Sequence, residues 1–192
     1  MTKILIATGN DFKFGIGRAN LQHFGIEAEQ VVLEIDEIQG EDADLIIRAK
    51  AAAAYAAVGK PILVTDDSWN FSGLRGFPGP YMKSMNYWLT PDDFIRLTRN
   101  LDDWLVTLEQ RIAYQDEHEC VIFRKDLPGI LLTEPRGEYG APLMKVVSID
   151  GDNGLSISEM HDAGKTHDEK RIARGSAWSK FGEWHQQSHQ AN

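Results

Sequence analysis

Residues 42–58, DADLIIRAKAAAAYAAV, form the clearest helix in the chain, and what flanks them limits the fold. Gly59-Lys60-Pro61 stops the helix, and ILVT (62–65) follows as the short apolar run of a buried strand. The same alternation precedes it. KILIAT (3–8) is a buried-strand run before Gly9-Asn10, and Phe12, Ile16, Leu21 and Phe24 fall at helical spacing over 11–24, with Gly25 as a stop. EAEQVVLEI (27–35) is strand-like again. Strand, helix, strand, helix, strand in this order predicts an α/β sheet whose ligands bind outside strand ends. Gly15 and Gly17 weaken the first helix without forbidding it, and GIGRAN (15–20) lacks the third glycine of a dinucleotide fingerprint.

Past residue 90 the pattern changes. Thr90-Pro91-Asp92 opens a helix over 91–101, with Thr90 as N-cap and proline at the first position. In VTLEQRIAYQ (106–115), Val106, Leu108, Ile112 and Tyr114 share one parity while Thr107, Glu109 and Arg111 take the other, which predicts a half-buried strand. DEHE (116–119) reads as a turn. CVIFRK (120–125), GILLTE (129–134) and LMKVVSI (143–149) read as strands, and 168–184 as a closing helix. With 192 residues, no repeat and no linker, residues 1–192 are expected to form one domain with an α/β core and a β-rich lobe. The polar end, 186–192, is expected to fray.

Composition narrows the partners. A net charge of −9 argues against sequence-independent binding to nucleic acid, which shows as a basic face, but leaves room for a local basic pocket. Cys120 is the single cysteine, so neither a disulfide framework nor a thiolate metal cluster is available. No apolar run reaches the length of a membrane span or a secretory leader, so a cytoplasmic protein without membrane contact is expected.

Three stretches carry chemistry. ATGNDFK (7–13) leaves the first strand through a glycine turn into a helix start, where backbone N–H groups and the helix dipole can seat phosphate oxygens. Thr8 and Asn10 can add hydrogen bonds and Lys13 a positive charge; read alone, the stretch is also an ordinary N-cap. Asp66 and Asp67 adjoin the third strand and point to opposite faces, so one is expected to serve a ligand and the other, before Ser68, to shape the turn. A carboxylate beside phosphate can hold a divalent cation or take a proton from water. GFPGPYMK (76–83) is a loop stiffened by glycine and proline that delivers Tyr81 and Lys83. Carboxylates, ammonium groups and an anion seat together point to a nucleoside phosphate.

In order along the chain, ATGNDFK (7–13), EIQGE (37–41), Lys50, PILVTDDS (61–68), GFPGPYMK (76–83), EPRGEYGAP (134–142) and EKRIARGSA (169–177) resemble the inosine triphosphate pyrophosphatase family, the Ham1-like enzymes for non-canonical purine nucleotides. The resemblance implies a long mixed β-sheet flanked by helices, in two lobes around a central cleft, and a homodimer. It implies Mg²⁺-dependent hydrolysis of a nucleoside triphosphate such as ITP, dITP or XTP to the monophosphate and pyrophosphate. Carried over by position, Thr8, Gly9, Asn10, Lys13, Lys50 and Lys83 contact phosphate, and Glu37 and Asp66 hold the metal. The general base falls on Asp66 by gapless counting back from Tyr81 and Lys83, and on Asp67 when DDS is the anchor; the first is preferred.

The base-reading end departs from the family pattern. Where the family carries F-G-[YW]-D-P, this chain has EYGAP, so Tyr139, Gly140 and Pro142 remain and the aspartate is absent. Where the family has Ser-His-Arg, Lys170 and Arg174 remain and Ile172-Ala173 replace the Ser-His pair. Tyr139, Gly140, Lys170 and Arg174 are the candidates for the nucleoside side of the ligand. Lost donors weaken discrimination between bases, so the same chemistry on another modified or pyrimidine nucleotide, or a non-catalytic nucleotide-binding relative, are the competing expectations. Five tryptophans could instead build an interaction surface; Trp69 alone stands beside the carboxylates.

Overall fold

The computed structural model describes residues 3–36, 38–166 and 169–190. Strands β1 (Lys3–Ala7), β2 (Glu27–Val31), β3 (Ile62–Phe71), β5 (Leu105–Gln115), β6 (Cys120–Leu131) and β7 (Val147–Ile149) lie in the order β2-β1-β3-β5-β6-β7, and β4 (Pro78–Gly79) pairs with β3. β1 runs parallel to both β2 and β3, whereas β4 on β3 and β7 on β6 are antiparallel, so the sheet is mixed as expected. The helices are α1 (Asp11–His23), α2 (Ala43–Val58), α3 (Met82–Trp88), α4 (Pro91–Thr98), α5 (Ile157–Asp162), α6 (Glu169–Ala173) and α7 (Ala177–Gln190).

Local chemistry sets the helix ends. The Asp42 side chain accepts from the N–H groups of Asp44 and Leu45, and Gly59, at φ 63, closes α2 in the left-handed region that favours glycine. Thr90 and Asp93 form a reciprocal capping box at the start of α4.

The chain divides into two compact units. The first comprises Met1–Asp66, Gln110–Lys125 and Ile172–Asn192. On one face of its strands, Ile4, Ile6, Leu63, Ile112 and Phe123 pack with Leu21, Trp178 and Phe181 of α1 and α7. On the other, Ala7, Ile62, Val64 and Ala113 pack with Ile47, Ala51 and Ala54 of α2. Gly17 has a packing reason: a Cβ there would stand 2.8 Å from the Trp178 ring, so glycine lets the indole lie against α1.

The second unit comprises Asp67–Glu109 and Asp126–Arg171. Phe71 and Phe94 meet edge to face at 6.5 Å, and the wholly buried Asp152 carboxylate pairs with Arg171 at 3.4 Å. Asn86 of α3 accepts from the Leu143 N–H, tying α3 to the turn at Pro142–Lys145.

Several elements differ from the reading of the sequence. β3 continues through Asp66 and Asp67 to Phe71, because β4 folds back and pairs Gly79 with Trp69 and Pro78 with Asn70. The aspartates therefore lie inside a strand rather than at its end. β2 stops at Val31, short of 35. The two strands expected at 120–125 and 129–134 are one, running through Pro128 and Gly129; a Cβ at Gly129 would collide with the Ser148 carbonyl of the neighbouring strand. β5 is covered on both faces near its end, with Ile112 and Ala113 both buried. Residues 142–145 form a tight 3₁₀ turn before β7, and the closing helix is split into α6 and α7 by a turn at Gly175, φ 77. The tail expected to fray is helical as far as Gln190. α3 and α5, seven and six residues long, are too short to show a period.

Candidate functional site

The first group of expected ligand residues stands where β1 passes into α1. Asn10 is the N-cap: its side chain accepts from the Lys13 N–H at 3.1 Å, while its own N–H donates to Thr8 Oγ1 at 3.1 Å. Gln30 of β2 donates to the Thr8 carbonyl and to Asp11, each at 3.1 Å, so the turn is tied to its neighbouring strand. Both the capping role and a preformed anion seat are thus consistent with one geometry. Gly9 is the informative residue. Its φ is not positive, and an added Cβ would meet only Val32 at an ordinary 3.8 Å, so packing does not require glycine there.

The second group lies on the neighbouring strand. Ala7 of β1 is registered against Val64 of β3, so Thr8 and Thr65 each follow the last registered pair. Alternation places Asp66 on the face of Ile62 and Val64, the face that α2 covers, and Asp67 on the other. Lys50 of α2 donates to the Thr65 carbonyl at 3.3 Å, one residue before Asp66. Thr8, Gly9, Asn10, Lys13, Lys50 and Asp66, with Arg174 at the turn before α7, belong to the first unit.

Arg111 and Arg124 were not among the residues expected from the sequence, yet they stand on the same α2 side. Arg111 Nε donates to Asp44 at 3.3 Å, and Arg124 makes a two-pronged contact with the same carboxylate. Those hydrogen bonds, Arg124 first, hold the Asp44 carboxyl below its ordinary range. Two guanidiniums thus share one carboxylate at the start of α2. The sequence carried no signal for this contact, since Arg111 shares the polar parity of its strand with Thr107 and Glu109.

Asp67, Lys83, Tyr139, Gly140 and Lys170 belong to the second unit. The 76–83 loop is pinned to β3: Gly76 N–H donates to the Phe71 carbonyl at 3.0 Å, Phe71 N–H to Phe77 at 3.3 Å, and the Phe77–Pro78 bond is cis. Lys83, exposed, lies in the first turn of α3. Trp69 is half-buried in β3; Trp178 lies in the core and Trp88 is exposed on α3. Tyr139 lies flat against His161 of α5, with ring centroids 3.3 Å apart and planes 8° from parallel. His161 had no signal in the sequence reading, since its helix went unrecognised. Gly140 has φ 84, and Lys170 is exposed on α6.

Glu37, the expected metal ligand, lies outside the described residues. Among the described residues, no three His, Cys, Asp or Glu side chains gather in metal-ligand geometry. Nor is any helix among them long and apolar enough to cross a membrane.

Comparison with known proteins extends over nearly the whole chain. Residues 4–184 match the model of the Ham1 family. A protein of Methanopyrus kandleri named dITP/XTP pyrophosphatase is 27% identical over 95% of this chain and 96% of its own length. Inosine triphosphate pyrophosphatase 2 of Trypanosoma cruzi is 32% identical, covering 85% of this chain and 83% of its own. Among solved structures, a HAM1 protein from Coxiella burnetii superposes with a TM-score of 0.73 at 18% identity, over 97% of this chain and all of its own; this likeness bears on the fold.

Proposed function

The chain belongs to the Ham1 family, and from that premise we propose that it is a nucleoside triphosphate pyrophosphatase acting on a non-canonical nucleotide of the ITP, dITP or XTP class. The relatives' names support the substrate class. The observation that carries the chemistry is the placement of Lys50 and Asp66 on the α2 face of β3, with the Thr8–Lys13 seat at the end of the adjoining strand.

In this reading Thr8, Gly9, Asn10 and Lys13 hold phosphate oxygens through side chains and backbone N–H groups, and Lys50 adds charge. Gly9 leaves the backbone open to a close approach that its own packing does not need. Asp66 orients a water and takes its proton as the oxygen bonds to the α-phosphorus. The α–β anhydride bond breaks, and pyrophosphate leaves with the electron pair. Lys83 and Arg174 are assigned to phosphate and nucleoside respectively, Tyr139 to the base, and Gly140 and Lys170 to its surroundings.

The donor set fits Mg²⁺, an oxygen-seeking cation commonly held by one or two carboxylates and completed by phosphate and water. Asp66 and Glu37 would hold it, and when bound it neutralises charge on the phosphates. A homodimer working on free nucleotides in the cytoplasm completes the proposal.

A second reading keeps the mechanism and changes the base. Ala141 and Ile172-Ala173 stand where the family has polar base-reading groups, which favours another modified or a pyrimidine nucleotide. Initial rates of pyrophosphate release from purine and pyrimidine triphosphates, including ITP, XTP, dITP and the standard nucleotides, test both. Preference for ITP and XTP supports the first reading, and preference for a pyrimidine the second. Tight nucleotide binding with no release would make the chain a binding protein.

A further inference from the structure

α6 is five residues long and buries none of them, so packing contributes little to where it sits. In isolation so short a helix does not persist in water. An ion pair ties it down: Arg171, half-buried, reaches Asp152 at 3.4 Å, and the Asp152 carboxylate is closed off from solvent altogether. The turn that carries Asp152 is built around it. Gly151, Asn153 and Gly154 take positive φ, at 85, 56 and 74. The Asp152 N–H donates to the Ile149 carbonyl at 3.0 Å, and its own carbonyl accepts from the Leu155 N–H at 3.1 Å. Arg136 donates to the Gly154 carbonyl at 3.3 Å, which braces the far side of the turn.

Burying a carboxylate is costly even when it is paired, and apolar residues of similar volume often hold a structure as well or better. What the ion pair adds is direction. Successive residues of a helix point about 100° apart, so drawing Arg171 inward to Asp152 fixes the rotation of α6. It thereby fixes the bearing of Lys170, the exposed residue just before it. We propose that Arg171 is a positioning residue, whose pairing with Asp152 sets α6 so that Lys170 meets the nucleoside side of the bound nucleotide. The inference rests on the assignment of Lys170 to that side of the ligand. An ammonium on a long flexible stem reaches one atom reliably only when its root is held, and α6 has no buried residue of its own to hold it.

The test is calorimetric binding of inosine monophosphate and of inorganic pyrophosphate to the full chain and its variants. These are Lys170→Met, the paired replacement Asp152→Leu with Arg171→Met, and all three changes together. The paired replacement leaves no buried charge without its partner, so the fold should be kept, as urea unfolding will show. A hydrogen bond from a charged donor converts to about 10- to 150-fold in affinity. Lys170→Met and the paired replacement are each expected to weaken the monophosphate by a factor in that range and to leave pyrophosphate unchanged. The triple variant should be no weaker than Lys170→Met alone, because a lysine that is gone cannot be misplaced. Equal weakening of both ligands, losses that multiply in the triple variant, or full monophosphate affinity in the paired replacement overturns the inference. Failure of the paired replacement to fold overturns it too, since the ion pair then serves stability rather than direction. Lys170→Met that binds monophosphate normally, or an unaltered chain that binds pyrophosphate but no monophosphate, overturns it while the phosphate assignments stand. Binding of neither ligand by the unaltered chain overturns the proposed function with it.

Discussion

The Thr8–Lys13 turn with Lys50 and Asp66, and the Arg136–Tyr139 segment with α5, solve the same problem by different means. In the first, regular backbone sets position: a helix N-terminus, a parallel strand register and the alternation of β3. In the second, side chains do it, since Ser156, Ser158, His161 and Asp162 from one short helix and its cap grip an irregular segment. Backbone-built geometry suits phosphate, which is the same in every nucleotide. Side-chain-built geometry can change a residue at a time, as a base-reading region must when its substrate changes. The comparison therefore predicts that variants in the first group lower turnover for every nucleotide, and variants in the second alter affinity in a base-dependent way.

The largest expected effect comes from Asp66→Asn, which keeps the shape and removes the proposed base. It should lower kcat by about 10²- to 10⁴-fold while nucleotide affinity changes little, measured by steady-state kinetics beside calorimetric binding. If Asp67→Asn has this effect and Asp66→Asn does not, the other face of β3 carries the chemistry. Next, Trp178→Ala removes the ring that packs on Gly17 beneath α1 and should cost about 3–5 kcal/mol in urea unfolding. Tyr139→Ala should raise KM for the preferred nucleotide by an amount equivalent to about 1–3 kcal/mol of stacking, with kcat held. A loss of kcat alone would erase the distinction between the two regions.

Smaller effects sharpen the picture. Ser156→Ala removes a helix cap and a hydrogen bond to the Arg136 carbonyl, and should cost about 1 kcal/mol of stability, read by thermal melting. For Asp44 the sign follows from the lowered carboxyl pKa: Arg124 and Arg111 favour the ionised form in the folded state. Its contribution is complete above the ordinary carboxylate value of 3.8 and fades as pH falls through the lower folded value. Asp44→Asn should therefore be less stable than the unaltered chain at neutral pH, with the difference shrinking in acid; urea midpoints at several pH values measure it. A constant difference across that range would contradict the ion-pair account.

What the sequence showed follows the same division. The α/β core was readable from apolar runs and from caps such as Asp42, Thr90 and Gly59, because these are local and chemically distinct. So were the turn at Thr8–Lys13, which needs only a strand followed by a capped helix, and the stiff loop that precedes Tyr81 and Lys83. The extension of β3 past Asp66 was hidden because DDSWN carries no apolar alternation; its pairing with Gly79 is a tertiary event. Arg111 read as solvent-facing by parity, but α2 covers that side and Asp44 meets it. His161 and Tyr139 are 22 positions apart, on a helix too short to announce itself, so no local pattern could have joined them.

The central claim is attack at the α-phosphorus of a non-canonical nucleotide, and product identity tests it most directly. Incubating the chain with ITP and Mg²⁺ and following products by phosphorus NMR should show inosine monophosphate and pyrophosphate in equal amounts, lost in Asp66→Asn. Inosine diphosphate and inorganic phosphate would place the attack on the terminal phosphorus and contradict the assignment.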